Sequence, residues 1–456
     1  MLHKLVPSTV LALLISETVL LFSAYLLAAY RFLDIDPAVW LRYENGAARV
    51  SLIVAILLLG LYFQDLYSDL AVKSRFLLFQ EVCMAIGAAF LSQALLAYAA
   101  PDWVMPKWIM MAGSVAILAV LPAWRILYSG LLMQSLGKER VLFLGSSDVA
   151  RQVARRYLEK PELNKAVIGF IDGDANIDEG PVVGPVESFS ALVAQHKPDC
   201  VVVGMAERRQ RMPVMELLDV NFSGIRVEDA GVAFEDAFGR VCSQQLRPSH
   251  LIFSRELGPR PYTMKIQSVY SFVIAAVGLV LAAPLMAIVA ALVKLTSPGP
   301  ALFRQRRVGL LGKPFTLYKF RSMRRDAEAR TGAVWATRDD PRVTGLGRFL
   351  RKSRIDELPQ LFNVLRGEMS IVGPRPERPE FVNTLNEQIP FYRQRHCVKP
   401  GITGWAQINH RYGDTLEDTV TKIEYDLYYI KQLSPALDFY IMFHTLKVML
   451  LYRGAQ

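Results

Sequence analysis

Ile266-Gln-Ser-Val-Tyr-Ser-Phe-Val-Ile-Ala-Ala-Val-Gly-Leu-Val-Leu-Ala-Ala-Pro284-Leu-Met-Ala-Ile-Val-Ala-Ala-Leu-Val293 is an apolar run of membrane length with a proline well inside it. About 20 helical residues cover ~30 Å of hydrocarbon, so the run is long enough to span. Pro284 removes one helical hydrogen bond and clashes a turn back, so a helix that enters, bends at Ala283-Pro284 and returns to the same face is equally open. A kinked complete span is the competing reading. The choice matters because of the next stretch, where fifteen Lys/Arg stand against six Asp/Glu between Ala301 and Gln360. That surplus supplies nearly all of the formal charge of +10. A complete span would part this basic block from everything before the run and deny it cytosolic nucleotides, whereas a re-entrant helix keeps both on one side.

Working outward, four further apolar segments occupy residues 6–30, 47–64, 76–100 and 108–128, each near spanning length, within a chain of 456 residues that is 52% hydrophobic. The first is too long for a secretory signal, and no small-residue cleavage site follows it. Glu17 and Arg49 lie inside the first and second segments; buried ionisable groups there either carry function or pack inward against neighbouring helices. Loop charges leave the orientation open, since Arg75 follows the second segment and Arg31 and Arg42 follow the first. Cys83, Cys200, Cys242 and Cys397 are widely spaced, with no disulfide framework, which fits a reducing, cytosol-facing location.

After residue 130 the pattern changes to short β-branched runs alternating with polar helical stretches, the mark of a parallel α/β sheet. Strands are predicted at 140–145, 166–171, 199–204 and 224–227, with helices at 148–159 and 187–196, giving a Rossmann-like domain. Its first turn, Gly145-Ser-Ser-Asp-Val-Ala150, has one glycine where a dinucleotide fingerprint needs three. Asp172-Gly-Asp174 follows a strand and reads either as an acidic metal-binding pair or as an ordinary turn.

The basic block holds an acidic pair, Asp356-Glu357, in Arg351-Lys-Ser-Arg-Ile-Asp-Glu-Leu-Pro-Gln-Leu361. Pro359 suits a first helical turn, and Leu358, Leu361, Phe362 and Leu365 before Gly367 predict a helix behind the pair. At that N-terminus the helix dipole with Arg351 and Arg354 favours ionised carboxylates, so the aspartate is a competent nucleophile and the glutamate can reach a metal. A structural cap with ion pairs is the plainer reading. Upstream, Arg304-Gln-Arg-Arg307 and Lys313 to Ser322, including Lys319 and Arg321, alternate cations with apolar residues and suit phosphate or anionic lipid, or else form a solvated basic surface that docks the protein on the membrane. Downstream, Arg375 stands between two prolines that stiffen its backbone against a phosphate. Lys399 to Asn409 combines glycine turns with Trp405 and Gln407 in a way that suits a sugar nucleotide. Residues 433–452, rich in Leu, Met, Phe and Tyr, read as an interfacial or a buried core helix.

Lys319-Phe-Arg-Ser-Met323, Arg354-Ile-Asp-Glu-Leu-Pro-Gln-Leu361, Asn363-Val-Leu-Arg-Gly367, Gly373-Pro-Arg-Pro376 and Pro400-Gly-Ile-Thr-Gly-Trp-Ala-Gln407 stand here in order. Together they resemble the bacterial polyprenyl-phosphate phosphoglycosyltransferases that start exopolysaccharide and O-antigen synthesis. The likeness covers about Lys265 to the C-terminus, and the preceding parts resemble the additions of the family's long form. It implies a transmembrane region at 1–130, a Rossmann-like domain at 138–262, and a monotopic α/β catalytic domain at 264–456 whose helix at about 266–293 is re-entrant.

On that resemblance the reaction is ping-pong at the cytoplasmic face of the inner membrane. Asp356 attacks a UDP-sugar, UMP leaves, and undecaprenyl phosphate collects the phosphosugar. Glu357, with Asp356, holds Mg²⁺, while Lys319, Arg321, Arg351, Arg375 and Gln407 serve the phosphates and substrate. Membrane lipids and a second copy of the chain are expected partners; nucleic acid is not. His410 departs from the family, many of whose members have glycine there. Other readings are a metal-dependent glycosyltransferase using Asp172 and Asp174 and releasing UDP, and a noncatalytic scaffold for polysaccharide assembly. No G-x-x-x-x-G-K-[ST], H-E-x-x-H or Tyr-x-x-x-Lys occurs, so ATPase, metalloprotease and reductase readings have no support.

Overall fold

The computed structural model describes residues 8–64, 66–67, 75–132, 138–172, 178–205, 212–243, 261–324, 327, 340–410 and 415–450. The chain divides into two compact units, Met1–Ala233 and Phe234–Gln456.

In the first unit, four apolar helices, α1 (Ser8–Phe32), α2 (Gly46–Phe63), α3 (Arg75–Ala99) and α4 (Lys107–Leu127), are long and apolar enough to cross a membrane. Their shared core includes Leu21, Tyr25, Ile53, Leu57, Val82, Ile109 and Ile117, while residues such as Leu27, Val19 and Leu91 face outward. The inward ionisable group of the first segment has a partner. Glu17 is fully buried and accepts from Arg125 Nη2 at 2.9 Å and from the Tyr67 hydroxyl at 2.5 Å, while Arg125 Nη1 also donates to the Leu66 carbonyl at 2.8 Å. Arg49 reaches the Val104 carbonyl at 3.3 Å.

The same unit holds a five-stranded all-parallel sheet in the order β3-β2-β1-β4-β5. Its strands are β1 (Glu139–Leu144), β2 (Lys165–Ile171), β3 (Val182–Gly184), β4 (Cys200–Val203) and β5 (Arg226–Asp229). β4 is buried throughout, as an interior strand covered on both faces requires. Helix α5 (Asp148–Glu159) starts where Ser147 accepts from the Ala150 amide, and buries Val149, Val153, Ala154 and Tyr157. Helix α6 (Phe189–His196) follows β3; that short strand and α7 (Val214–Phe222) were not anticipated from the sequence. At the turn after β1, the Ser147 amide donates to Gly204 O at 3.0 Å, so one amide that a phosphate would use is already taken. Asp172 follows β2 with its amide on Gly184 O, and Asp174 lies outside the described residues.

The second unit is built on α8 (Pro261–Thr296), whose helical conformation continues past Ala283 and Pro284. Thirty-six helical residues have a contour length of about 54 Å, longer than the hydrocarbon layer. One stripe of it turns inward along its whole length. Gln267, Ser271 and Ala275 are buried, Gly278, Ala282 and Met286 are half-buried, and Val289 and Val293 are buried again, at the 3–4 residue spacing of one helix face. Its other faces expose Val269, Phe272, Val277, Val280, Leu281, Ile288 and Leu295.

Against the stripe pack a hairpin of β6 (Leu302–Val308) and β7 (Pro314–Phe320), helices α9 (Gly345–Lys352) and α10 (Gln360–Leu365), and the parallel pair β8 (Ser370–Val372) and β9 (Gly401–Thr403). Ala275 joins Leu317, Val364 and Met369 in one cluster, and Val289 and Val293 join Phe320 and Leu350 in another. Close approach demands glycine at Gly347, where an added Cβ would sit 1.9 Å from Ser322 O. Helix α11 (Pro379–Gln388), α12 (Leu416–Lys431) and α13 (Pro435–Leu450) complete the unit. α13 buries Leu437, Asp438 and Ile441 and exposes Phe439, Phe443 and Leu446, so the two readings of that segment each describe one of its faces.

Candidate active site

Asp356 and Glu357 do not sit within an α-helix but in the 3₁₀ turn Ile355–Glu357 that leads into α10. Arg354 begins the turn in the left-handed region with φ +57°, a conformation that costs an L-residue roughly 1 kcal/mol. Strain of this kind collects where geometry is used. The turn leaves both carboxylates almost fully buried, with their surroundings divided unequally.

Glu357 is ringed by cations, most closely on Oε1. Its Oε1 accepts from Lys319 Nζ at 2.8 Å and from Arg375 Nη2 at 3.3 Å, and its Oε2 lies 3.6 Å from Arg354 Nη1. Although burial opposes ionisation, Lys319, Arg375 and Arg354 together hold this carboxyl well below the usual range. Asp356 accepts no hydrogen bond from the described residues. Burial pushes it up to about 6; Lys319, Arg351 and Arg375 pull against that, and the neighbouring Glu357 charge adds to it. The dipole and arginines favour the ionised form of both groups on the sequence reading; at Asp356 burial outweighs the pull of Lys319, Arg351 and Arg375, two of which are bonded to Glu357.

Each cation is held by something else. Lys319 lies on β7, which is locked to α10 by Asn363, fully buried: its Nδ2 donates to Thr316 O at 2.7 Å and its Oδ1 accepts from the Tyr318 amide at 3.2 Å. Arg351 Nε donates to Ser322 Oγ at 2.9 Å. Arg375 is presented by its loop. Arg395 Nη2 donates to Arg375 O at 2.9 Å while forming a buried ion pair with Asp426 at 2.7 Å, and Arg307 Nη1 holds Pro376 O at 3.0 Å. Arg395, Asp426 and Arg307 were missed in the sequence. Only the prolines around Arg375 hinted that its backbone needed fixing.

The structure separates two residues from this cluster. Arg321, expected at substrate phosphate, is buried and donates to the carbonyls of Val293, Ser297 and Pro298. Those carbonyls lie in the last turn of α8 and just past its end, so this guanidinium caps a helix. Gln407 donates to Ile402 O at 3.3 Å within its own motif, and makes no hydrogen bond to the carboxylate pair or its cations. The aromatic of that motif is also internal. Trp405 stacks on Tyr428 with centroids 5.9 Å apart, and its Nε1 donates to Gly239 O at 2.7 Å, so it is not a free platform for a nucleotide. His410 pairs with Asp418 at 3.2 Å, and Asp418 forms a capping box with Thr415 at the start of α12.

Comparison with known proteins accords with this geometry. The profile of the bacterial sugar transferase family matches residues 262–452. The chain is 46% identical over 222 residues to a UDP-N-acetylgalactosamine-undecaprenyl-phosphate N-acetylgalactosaminephosphotransferase of Aeromonas hydrophila, covering 49% of this chain and 52% of that protein. Two UDP-glucose:undecaprenyl-phosphate glucose-1-phosphate transferases are also similar. The Escherichia coli (strain K12) protein is 49% identical over 175 residues, 38% of either chain, and the Klebsiella pneumoniae protein is 35% identical over 315 residues, 68% of this chain and 67% of that one. The chain thus spans about half of the Aeromonas relative and two thirds of the Klebsiella one. With the acidic pair, its cations and the membrane-length helix all inside the matched segment, the chain belongs to the bacterial sugar transferase family, whose members include undecaprenyl-phosphate sugar phosphotransferases.

Proposed function

We propose that this chain transfers a sugar 1-phosphate from a UDP-sugar to undecaprenyl phosphate, giving undecaprenyl-diphospho-sugar and UMP, as the opening step of exopolysaccharide or O-antigen synthesis. The observation that carries the reading is the division between two adjacent buried carboxylates: Glu357 neutralised by three cations, Asp356 without a partner among the described residues. An aspartate poised near 6 is largely ionised at neutral pH, yet desolvated and unbonded, which is what a carboxylate nucleophile requires.

Asp356 attacks the sugar-linked phosphorus, a new aspartyl–phosphorus bond forms, and the bond to the UMP oxygen breaks. A phosphate oxygen of undecaprenyl phosphate then attacks the same phosphorus and returns the carboxylate. One phosphoanhydride replaces another, so the exchange is nearly balanced. Lys319, Arg351 and Arg375 supply positive charge where the transferred phosphoryl oxygens gather it.

No cluster of three His, Cys, Asp or Glu occurs among the described residues. Two adjacent carboxylates suit Mg²⁺, which takes one or two of them and completes its shell with water and substrate phosphates. Asp356 and the Oε2 side of Glu357 would hold it, and it would supply charge against the phosphate oxygens.

The inward stripe of α8 supports the re-entrant reading, with Ala283 and Pro284 as its bend. A helix accompanied by one domain along both halves does not leave that domain behind by crossing a bilayer, and the reading keeps the acidic pair at the cytoplasmic face of the inner membrane. The test is incubation of the purified chain with Mg²⁺, undecaprenyl phosphate and a panel of UDP-sugars. UMP release that vanishes in Asp356→Asn is expected and names the donor; UDP release would refute the reaction.

A further inference from the structure

The hairpin carries a second set of cations on the face opposite Lys319. Side chains alternate along a strand, so Tyr318, paired with Arg304, and Thr316, paired with Arg306, turn away from the Lys319 face. The Arg304 guanidinium stands 5.7 Å from the Tyr318 ring centroid. Arg366 stands 5.2 Å from the same centroid and donates to the Tyr318 hydroxyl at 2.8 Å. Arg304, Arg306 and Arg366 are all exposed, and none has a carboxylate partner among the described residues. The nearby Glu368 is engaged by Asn363 Nδ2 at 2.7 Å. Guanidinia gathered on one ring without a counter-ion repel one another, and their free N–H forks suit phosphate oxygens.

The position of the cluster narrows the source of that phosphate. Arg366 directly follows α10, whose Leu361 and Leu365 pack with Ala275 of α8. Phe362, one turn before Arg366, is exposed. Arg366 thus stands one turn from an exposed aromatic, on the helix that packs against the membrane-length α8, a setting that suits a headgroup boundary.

We propose that Arg304, Arg306 and Arg366 form a docking surface for the phosphate headgroups of anionic bilayer phospholipid, on the hairpin face away from the Asp356–Glu357 pair. The test uses the full-length chain in phosphatidylcholine nanodiscs with trace spin-labelled phosphatidylglycerol or phosphatidylcholine, and measures the fraction of each label immobilised by protein. The wild type is expected to prefer phosphatidylglycerol. Each arginine lost in R304Q/R306Q/R366Q should weaken that preference by up to about fivefold, the equivalent of roughly 1 kcal/mol per basic residue at a membrane surface. R304K/R306K/R366K should retain most of it, which separates charge from packing on Tyr318. An unchanged preference in the glutamine variant, or loss in the lysine variant equal to that in the glutamine one, would overturn the proposal. So would displacement of the bound label by equimolar undecaprenyl phosphate, which would assign the cluster to the acceptor instead.

Discussion

Two buried carboxylate clusters in this molecule differ in one respect. Inside the N-terminal helices, Glu17 is bonded by Arg125 and Tyr67, and Arg125 spends its remaining donor on a backbone carbonyl. In the second unit, Glu357 takes up the cations while Asp356, next to it, is left unbonded. Burial alone therefore does not mark a catalytic carboxylate. A buried acid paired with its own arginine holds helices together; a buried acid with no partner among the described residues, beside one that has taken the cations, is available for chemistry.

The largest effect that sharpens this contrast is at Asp356 itself. Asp356→Asn should lower turnover by about 10⁴-fold or more, as loss of a nucleophile does, and should also stabilise the fold. The folded state raises this carboxyl from 3.8 to about 6, so its ionisation costs stability progressively above 3.8, and fully above about 6. Removing that cost is worth up to about 3 kcal/mol at neutral pH. Thermal unfolding alongside nucleotide release checks both signs. For the wild type, kcat/KM should climb as pH rises through about 6 and then level off.

At the other cluster the expectation reverses. Glu17→Ala strands the buried Arg125 and should destabilise by about 3 kcal/mol, with turnover per folded molecule unchanged. Glu17→Gln combined with Arg125→Met should recover much of that loss, as measured by unfolding in detergent. Smaller still is the loss of one cation from Glu357. Lys319→Met should reduce kcat/KM about 100-fold, and it should move the acidic limb of the pH profile upward because Lys319 lowers the pKa of both carboxyls. The smallest effect is predicted for Arg395→Lys, which keeps the charge facing Asp426 but loses the fork that also holds Arg375 O. About a tenfold loss in kcat without a change in the pH midpoint would mark positioning.

How much of this was legible depended on the range of the interaction. Four of the five strands of the parallel sheet fell within about two residues of their predicted places, most of them as local apolar or β-branched runs, while the three-residue β3 is too short to show a pattern; the acidic pair stood out through its proline and the leucines behind it. Arg125 could not be matched to Glu17, since the pairing crosses a bundle over 108 residues of sequence. Arg321 looked like a phosphate ligand because composition displays its charge but not the carbonyls at the end of α8 that use it. Trp405 looked like a platform for the same reason: the sequence shows an aromatic ring but not Tyr428 stacked on it. The upward shift at Asp356 could not be read in advance, because desolvation depends on the fold closing over the turn, which no spacing of charges reveals.

The most direct test of the contrast is to incubate the chain with Mg²⁺ and its UDP-sugar, withhold undecaprenyl phosphate, quench in acid, and map the adduct by peptide mass spectrometry. A hexose-phosphate adduct on Asp356, lost on adding the acceptor, is the predicted result. Release of UMP only when the acceptor is present, with Asp356 never modified, would contradict it.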